Sequence, residues 1–128
     1  MNQTAAEQNE RPEPEFRRGV ENPQIIDLIA RDPESGEVVL VVIEQRPWGS
    51  DPAQLHQFDE KLNRYLGYVL DNFLVKEYPE YEGVPVRIQI NCADRPTGTR
   101  EVRFLEGVGM VCEQNGLNFA VKVKEDGV

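Results

Sequence analysis

Several side chains suited to binding an anion lie together after the most apolar run of the chain. Glu44 closes that run, and Arg46, Trp48 and Asp51 follow within the next seven residues. A guanidinium can grip a carboxylate or phosphate through paired hydrogen bonds, and an indole ring can form the wall of a small pocket. One interpretation of this segment is therefore a site for a small anionic ligand at the carboxyl end of a strand.

The ligand interpretation extends to two side chains near the end of the third predicted strand, Arg87 and Asp94. A structural interpretation explains the same segment more simply: Trp48 covers the start of the following helix, and Arg46 pairs with a nearby acid. We favour the structural interpretation. Ligand binding is kept as the alternative, with the candidate residues Glu44, Arg46, Trp48, Asp51 and Arg87.

The first long helix carries further side chains capable of proton transfer. Lys61, Asn63 and Tyr65 invite a general-acid role, but helical spacing places Tyr65 on the buried side with Lys61 beside it. We therefore expect a packed tyrosine and a lysine that extends its ammonium group to solvent. His56 lies in the first turn of the same helix without a neighbouring nucleophile in the sequence. We predict no catalytic residue, and the sequence favours a protein that is not an enzyme.

The cysteines give no metal motif. Cys92 and Cys112, with the single histidine, cannot supply four Cys and His zinc ligands at these spacings. We predict no metal site and no cofactor. The sequence also has no signal peptide and no run of about 18 apolar residues, so we expect a cytoplasmic protein with reduced thiols.

The charge of the chain restricts its partners. The 128 residues carry a net charge of −9, and the basic residues form no cluster. Nucleic-acid backbones and anionic membranes repel such a surface, so we predict neither as a partner. A basic protein partner is compatible with the charge, although most acidic domains are simply soluble.

A β-hairpin opens the predicted fold. Ile25–Arg31 is rich in β-branched residues, and the turn Asp32–Gly36 combines a proline with a glycine that suits a left-handed conformation. The second strand, Glu37–Glu44, is apolar on both faces. Such a strand is typical of the centre of a sheet that is covered on both sides.

A long amphipathic helix follows the hairpin. Asp51 is the predicted cap, with Pro52 at the first helical position. Apolar residues then recur at three- and four-residue steps: Leu55, Phe58, Leu62, Tyr65, Leu66, Val69 and Phe73. The charged residues Glu60, Arg64 and Asp71 fall on the opposite side.

Alternation predicts a third strand over Val86–Cys92 and a last strand over residues 117–124. Between them, Thr97 or Thr99 caps a second helix with the core stripe Leu105, Val108, Val111 and Cys112. The order ββαβαβ predicts an α+β fold. With sequential strand order and right-handed crossovers, it is a four-stranded mixed sheet with two helices packed on one face.

The domain is predicted to cover residues 23–125. Residues 1–22 are rich in Pro, Glu and Gln and have little apolar surface to bury, so they are predicted to form a disordered tail.

The hairpin suggests an interface. If Arg31 pairs with Glu37, one face of the hairpin carries five apolar residues that point away from the helices: Ile25, Ile29, Val39, Val41 and Ile43. A patch of that size needs a cover, and either a second copy of the chain or the N-terminal tail with Phe16 and Val20 is a candidate. We expect Val39 and Val41 to be largely buried in the native assembly. The favoured hypothesis is thus a non-enzymatic interaction module, with itself (a homodimer) or another protein as partner.

Short motifs spread over residues 22–123 point to a family. They are Asp27-Leu28, Gly36-Glu37-Val38-Val39-Leu40, Glu44 with Arg46 and Trp48, Lys61-Leu62-Asn63 with Tyr65, Tyr78-Pro79, Pro85-Val86-Arg87-Ile88 and Cys92. Through these motifs the chain resembles an uncharacterised bacterial family of small cytosolic proteins of the domain-of-unknown-function type. Its relatives often carry glycine where this chain has Asn72, which leaves open whether the first helix bends there. The resemblance supports the fold and implies no activity.

Overall fold

A computed structural model describes residues 18–124 of the chain. Four strands and three α-helices follow one another in the order β1 (Leu28–Arg31), β2 (Val38–Glu44), α1 (Gln54–Leu70), α2 (Phe73–Glu77), a 3-10 turn (Pro79–Tyr81), β3 (Val86–Cys92), α3 (Thr99–Gln114) and β4 (Asn118–Val123). The strands form one mixed sheet in the sequential order β1-β2-β3-β4. The predicted α+β class and strand order are confirmed, and α2 is separate from α1 rather than the last part of one long helix.

The hairpin forms as its turn chemistry predicts, but its register differs by one residue. Gly36 takes a positive φ of 79°, and the Asp32 carboxylate accepts the backbone N–H of Glu34 at 2.9 Å. Arg31 lies opposite Val38 rather than Glu37. The predicted pairing is therefore wrong, and every β1 side chain lies on the opposite face from the predicted one.

The two faces of the sheet have different surroundings. Side chains of one face pack against the helices in a single core that includes Leu40, Ile88, Phe58, Leu62 and Leu105. We call the other side the open face, because none of the described helices packs on it. Its side chains, taken from the strand registers, are Leu28, Ala30, Val39, Val41, Ile43, Arg87, Gln89, Asn91, Asn118, Ala120 and Lys122.

In the observed register, Val39 and Val41 lie on the predicted face of the sheet, and Ile29 does not. Val39 and Val41 point away from the helices, and they are only 5% and 3% exposed within the single chain. Ile29 lies opposite Leu40 and packs against the core on the helix side. Ile29 is thus not on the face where the sequence placed it.

Helix α1 begins and ends differently from the predicted helix. It starts at Gln54, because Asp51 and Pro52 form a turn in which Asp51 accepts the Ala53 N–H at 2.9 Å. It ends at Leu70, and Asn72 takes a left-handed φ of 66° before α2 begins. Glycine fits that conformation without strain, and asparagine tolerates it better than most residues, so the chain bends at Asn72. Phe73 therefore leaves the predicted stripe and is 50% exposed.

Helix α3 begins at Thr99 with Gly98 as its cap residue, and no side chain caps it. The predicted threonine cap is therefore absent. Leu105 and Cys112 are buried as predicted, whereas Val111 is exposed. The last strand begins at Asn118, one residue later than predicted, and Leu117 before it is buried.

The packed domain begins before residue 23. Val20 is completely buried in the core, and Asn22 is also buried. The predicted tail therefore extends too far toward the domain, since 18–22 contribute to it. The rest of the predicted tail, with Phe16, lies outside the described residues.

Candidate functional site

The segment after β2 is held together by a buried carboxylate. Glu44 is almost fully buried, and its two oxygens accept hydrogen bonds from Arg46 Nε at 3.0 Å and Arg46 Nη2 at 2.7 Å. Gln54 Nε2 donates to Glu44 Oε2 at 3.1 Å. The hydrogen bonds that Arg46 donates to Glu44 raise the pKa of the guanidinium, so this group remains a cation. The carboxylate thereby fixes the loop to the first turn of α1.

The Arg46 guanidinium makes two more contacts within the chain. Nη1 lies 3.3 Å from Asp51 Oδ2, and Nη2 donates to Gln57 Oε1 at 2.9 Å. Arg46 thus contacts two carboxylates and one amide of its own chain. These contacts are those of the structural interpretation, and they leave the guanidinium little capacity for a second anion.

Trp48 connects this loop to the end of β3. Its indole Nε1 donates to the Asp94 carbonyl at 2.9 Å, and its ring stacks on Phe58 with centroids 5.0 Å apart. The ring therefore lies against α1 near its start, with one face covered. The structure brings together Glu44, Arg46, Trp48 and Asp51, as the sequence suggests, in a self-contained loop.

Arg87 does not join them. It lies at the start of β3, opposite Val39, whereas Glu44 lies opposite Cys92 at the other end of the strand. Arg87 pairs with Glu37 and, at 3.0 Å, with Asp32. The predicted position beside the loop is wrong, because it treated Arg87 as part of the strand's carboxyl end. The Glu34 amide and then Arg87 lower the pKa of Asp32 to about 2.

The five predicted interface residues occupy two different regions. Val39, Val41 and Ile43 share the open face. Ile29 packs on the helix side, and Ile25 lines a groove beside Gly67 of α1.

Lys61 lies in a buried polar network that the sequence analysis missed. Its ammonium group donates to Asp27 Oδ1 at 2.7 Å, and both side chains are 0% exposed. The other two donors reach the carbonyls of Gly19 at 2.7 Å and Asn22 at 2.6 Å. The prediction of a lysine extending into solvent is therefore wrong. Burial lowers the pKa of Lys61, and the Asp27 carboxylate opposes that shift.

Tyr65 completes the network and extends the strand pairing. Its hydroxyl donates to the Val41 carbonyl at 2.6 Å and accepts the Asp27 N–H at 2.8 Å. Asp27 Oδ2 accepts the Ile43 N–H at 2.9 Å. The side chains of Tyr65 and Asp27 thus form hydrogen bonds with backbone groups of β2 near the point where β1 begins. Burial raises the pKa of Tyr65, and all three Lys61 donors are used, so the arrangement is that of a structural lock rather than a general acid.

A signal for this lock exists in the sequence. Asp27 is a lone acid in an apolar strand, and Lys61 follows the period of the buried helical stripe. Two opposite charges at inward positions indicate a buried pair, because an unpaired charge is rarely buried.

A second region without a sequence signal is a groove on the open face at the carboxyl ends of the three parallel strands. We call it the carboxyl-end groove. It has a volume of about 600 Å³ and is lined by Ile43, Glu44, Gln45, Gln89, Asn91, Cys92, Ala93, Lys122, Val123 and Lys124. These residues come from segments distant in sequence, so their proximity follows only from the sheet.

Within residues 18–124, no three His, Cys, Asp or Glu side chains are grouped so as to hold a metal ion. No helix in the same part of the chain has the length and apolarity needed to cross a membrane. The cysteines are both buried, and burial raises the pKa of each thiol.

Residues 18–125 match the model of a family described as "Family of unknown function (DUF6572)". This match confirms the resemblance to an uncharacterised domain-of-unknown-function family. No curated protein and no solved structure matches the chain.

Proposed function

The chain belongs to the DUF6572 family, which has no assigned function, and from that premise we propose that it is a non-enzymatic interaction module that self-associates through the open face. One observation carries the proposal. The described helices pack on one side of a four-stranded sheet and not on the other, where Leu28 and Ala30 are exposed although Val39 and Val41 are buried within the single chain. Sheets with one such face commonly place it against another element or another chain.

The open face is divided into an apolar half and a polar half. The strands β1 and β2 contribute Leu28, Ala30, Val39, Val41 and Ile43. The strands β3 and β4 contribute mainly Arg87, Gln89, Asn91, Asn118 and Lys122. Two copies related by a two-fold axis through the hairpin half would place like apolar surfaces together, as an isologous contact requires.

The expected contact is weak. Val39 and Val41 have almost no surface left to bury, so the gain comes from Leu28, which is 41% exposed, and from Ala30 and Ile43. The two hairpin strands, about 4.8 Å apart and six residues long, span roughly 200 Å², about a quarter of what each partner buries in a standard interface. We therefore expect a dissociation constant of about 10 μM or weaker.

Sedimentation velocity from about 10 to 500 μM tests the proposal, with Leu28→Lys as the decisive variant. A charge at this exposed position leaves the fold intact and should shift the monomer–dimer transition to at least tenfold higher concentration. Leu70→Lys is the matched control, because Leu70 is 47% exposed on the helix side. Self-association that is absent, or equally sensitive to both substitutions, would overturn the proposal.

The alternative function, a small-molecule binder or minor enzyme using the Glu44–Asp51 loop as an anion site, has less support. Its proposed clamp, Arg46, already contacts Glu44, Asp51 and Gln57. A ligand would have to displace charge-assisted bonds that the chain makes to itself.

A further inference from the structure

We propose that the carboxyl-end groove binds a small oxyanion, a carboxylate or phosphate, through Asn91 and Lys122. The groove borders the Glu44–Asp51 loop at Glu44 and Gln45, but the proposed ligand-binding groups lie on β3 and β4, and the proposal does not rest on self-association. It starts from a chain of hydrogen bonds along β3. Arg87 Nε donates to Gln89 Oε1 at 3.1 Å, and Gln89 Nε2 donates to Asn91 Oδ1 at 2.8 Å.

The polarity of this chain is fixed at one end. A guanidinium has only donors, so the Gln89 oxygen must accept from Arg87 and the Gln89 amide nitrogen must donate onward. Asn91 accepts that bond through its oxygen. Its NH₂ group is therefore the terminal donor, and neither amide can be flipped without breaking a bond. The charge of Arg87 is compensated by Asp32 and Glu37, so its part in this chain is to fix the direction of the hydrogen bonds.

Lys122 lies beside this donor. Asn91 and Lys122 are directly paired residues on the parallel strands β3 and β4, so their side chains leave the same face about 4.8 Å apart. Within the described part of the chain, no acidic side chain forms an ion pair with Lys122 or with Lys124. Within residues 18–124, the Asn91 NH₂ group and the ammonium groups of Lys122 and Lys124 thus have no carboxylate partner.

The one carboxylate of the groove does not oppose an anion. Glu44 is 1% exposed and its charge is compensated by Arg46. Ile43 and Val123 add an apolar wall. The combination of amide N–H donors, ammonium groups and no accessible acid suits a ligand whose oxygens only accept hydrogen bonds. A volume of about 600 Å³ suits a metabolite-sized anion.

Protein NMR on the full chain tests the site. Sodium acetate and inorganic phosphate are titrated separately at constant ionic strength, with sodium chloride as the reference anion. We expect saturable shifts of the Asn91 side-chain NH₂ and of the Ala93 and Lys122 amides. A response to acetate identifies a carboxylate ligand, one to phosphate a phosphate ligand, and one to both supports the shared oxyanion chemistry.

Substitutions at two exposed positions distinguish binding at this site from non-specific attraction of anions to positive charge. Asn91→Ala removes the terminal donor without adding a charge, and Lys122→Gln removes the ammonium group. Each should weaken binding about tenfold or more. Arg100→Gln is the matched control, because it removes one exposed positive charge on α3.

Three results would overturn the proposal: shifts that stay linear for both anions, equal shifts with chloride, or equal weakening by Lys122→Gln and Arg100→Gln. The Leu28→Lys variant distinguishes this failure from failure of the proposed function. It should bind the anion as the unmodified chain does, even where it no longer self-associates.

Discussion

At the scale of single residues, the buried pair of Lys61 and Asp27 has the largest energetic consequence. Lys61→Met leaves Asp27 as an uncompensated buried carboxylate and should lower the free energy of unfolding by about 3–5 kcal/mol. Adding Asp27→Asn should restore part of the loss, because the remaining charge is then removed. Urea unfolding measures both variants. Arg64→Met, on the exposed side of the same helix, should cost less than about 0.5 kcal/mol. Comparable losses for Lys61→Met and Arg64→Met would contradict the lock.

Asp32 gives the domain an acid-sensitive contribution. The pKa of its carboxyl group is lowered from 3.8 to about 2 by the Glu34 amide and Arg87. A lowered folded-state pKa means that the stabilisation is complete above pH 3.8 and is lost as the pH falls toward 2. Asp32→Asn keeps the side-chain oxygen for the turn but cannot titrate. Urea midpoints between pH 4 and 2 should therefore fall less steeply for this variant than for the unmodified chain, and parallel curves would exclude the contribution.

At the scale of elements, the break between α1 and α2 depends on one backbone conformation. Asn72 has a φ of 66°, so Asn72→Gly should stabilise the domain by about 0.5–1 kcal/mol and Asn72→Val should destabilise it by more than about 1 kcal/mol. Asp71 has a φ of −90°, so Asp71→Gly should give no gain. Thermal unfolding compares the three variants. Equal gains from both glycines would show that the left-handed conformation is not responsible.

Alanine substitutions test which side of α1 is buried. Leu62 is buried in the core, so Leu62→Ala should cost about 2–5 kcal/mol. Val69 is half-buried, and Val69→Ala should cost less, about 0.5–2.5 kcal/mol. Glu60→Ala, on the exposed side, should change the free energy of unfolding by less than about 0.5 kcal/mol in the same urea titration. Near-equal effects would mean that the helix presents a different side to the sheet.

Element type was predictable from the sequence, and register was not. The alternation of Val86–Cys92 and the period of α1 each predict an element and its buried side. The sequence of β1 does not show which of its side chains face the core, because Leu28 and Ile29 are both apolar. A shift of one residue therefore places an apolar side chain on the core side in either register. The inward position of Asp27 sets the register through Lys61, Tyr65 and Ile43, and these contacts are distant in sequence.

The candidate loop was predictable in composition, and its neighbours were not. Glu44, Arg46, Trp48 and Asp51 are close in sequence, so a turn between strand and helix suffices to bring them together. Lys122 and Asn91 meet only because β3 and β4 are parallel and in a particular register. No local pattern carries that information.

At the scale of the whole molecule, the residues before β1 are a structural part of the domain. A chain that lacks residues 1–17 retains every described contact of Val20 and Lys61. A chain that lacks 1–22 loses Val20 from the core and two carbonyl acceptors of a buried ammonium group. The longer deletion should therefore lower the free energy of unfolding by about 3 kcal/mol or more relative to the shorter one. Thermal unfolding of the two truncated chains checks this, and equal midpoints would place the domain boundary after residue 22.

The lock around Lys61 also affects the order in which parts of the domain fold and unfold. Its three hydrogen bonds join residues 34 to 42 positions apart in sequence, and they need both the hairpin and α1 to be in place. These separations are shorter than the 48 residues between paired positions of β2 and β3, such as Val38 and Val86, so loop length favours closing the lock before that parallel pairing. Loss of the lock should accordingly slow refolding as well as accelerate unfolding. In native-state amide exchange, β1 should open before β3, so that the N-terminal edge of the sheet is the first part of the domain to separate.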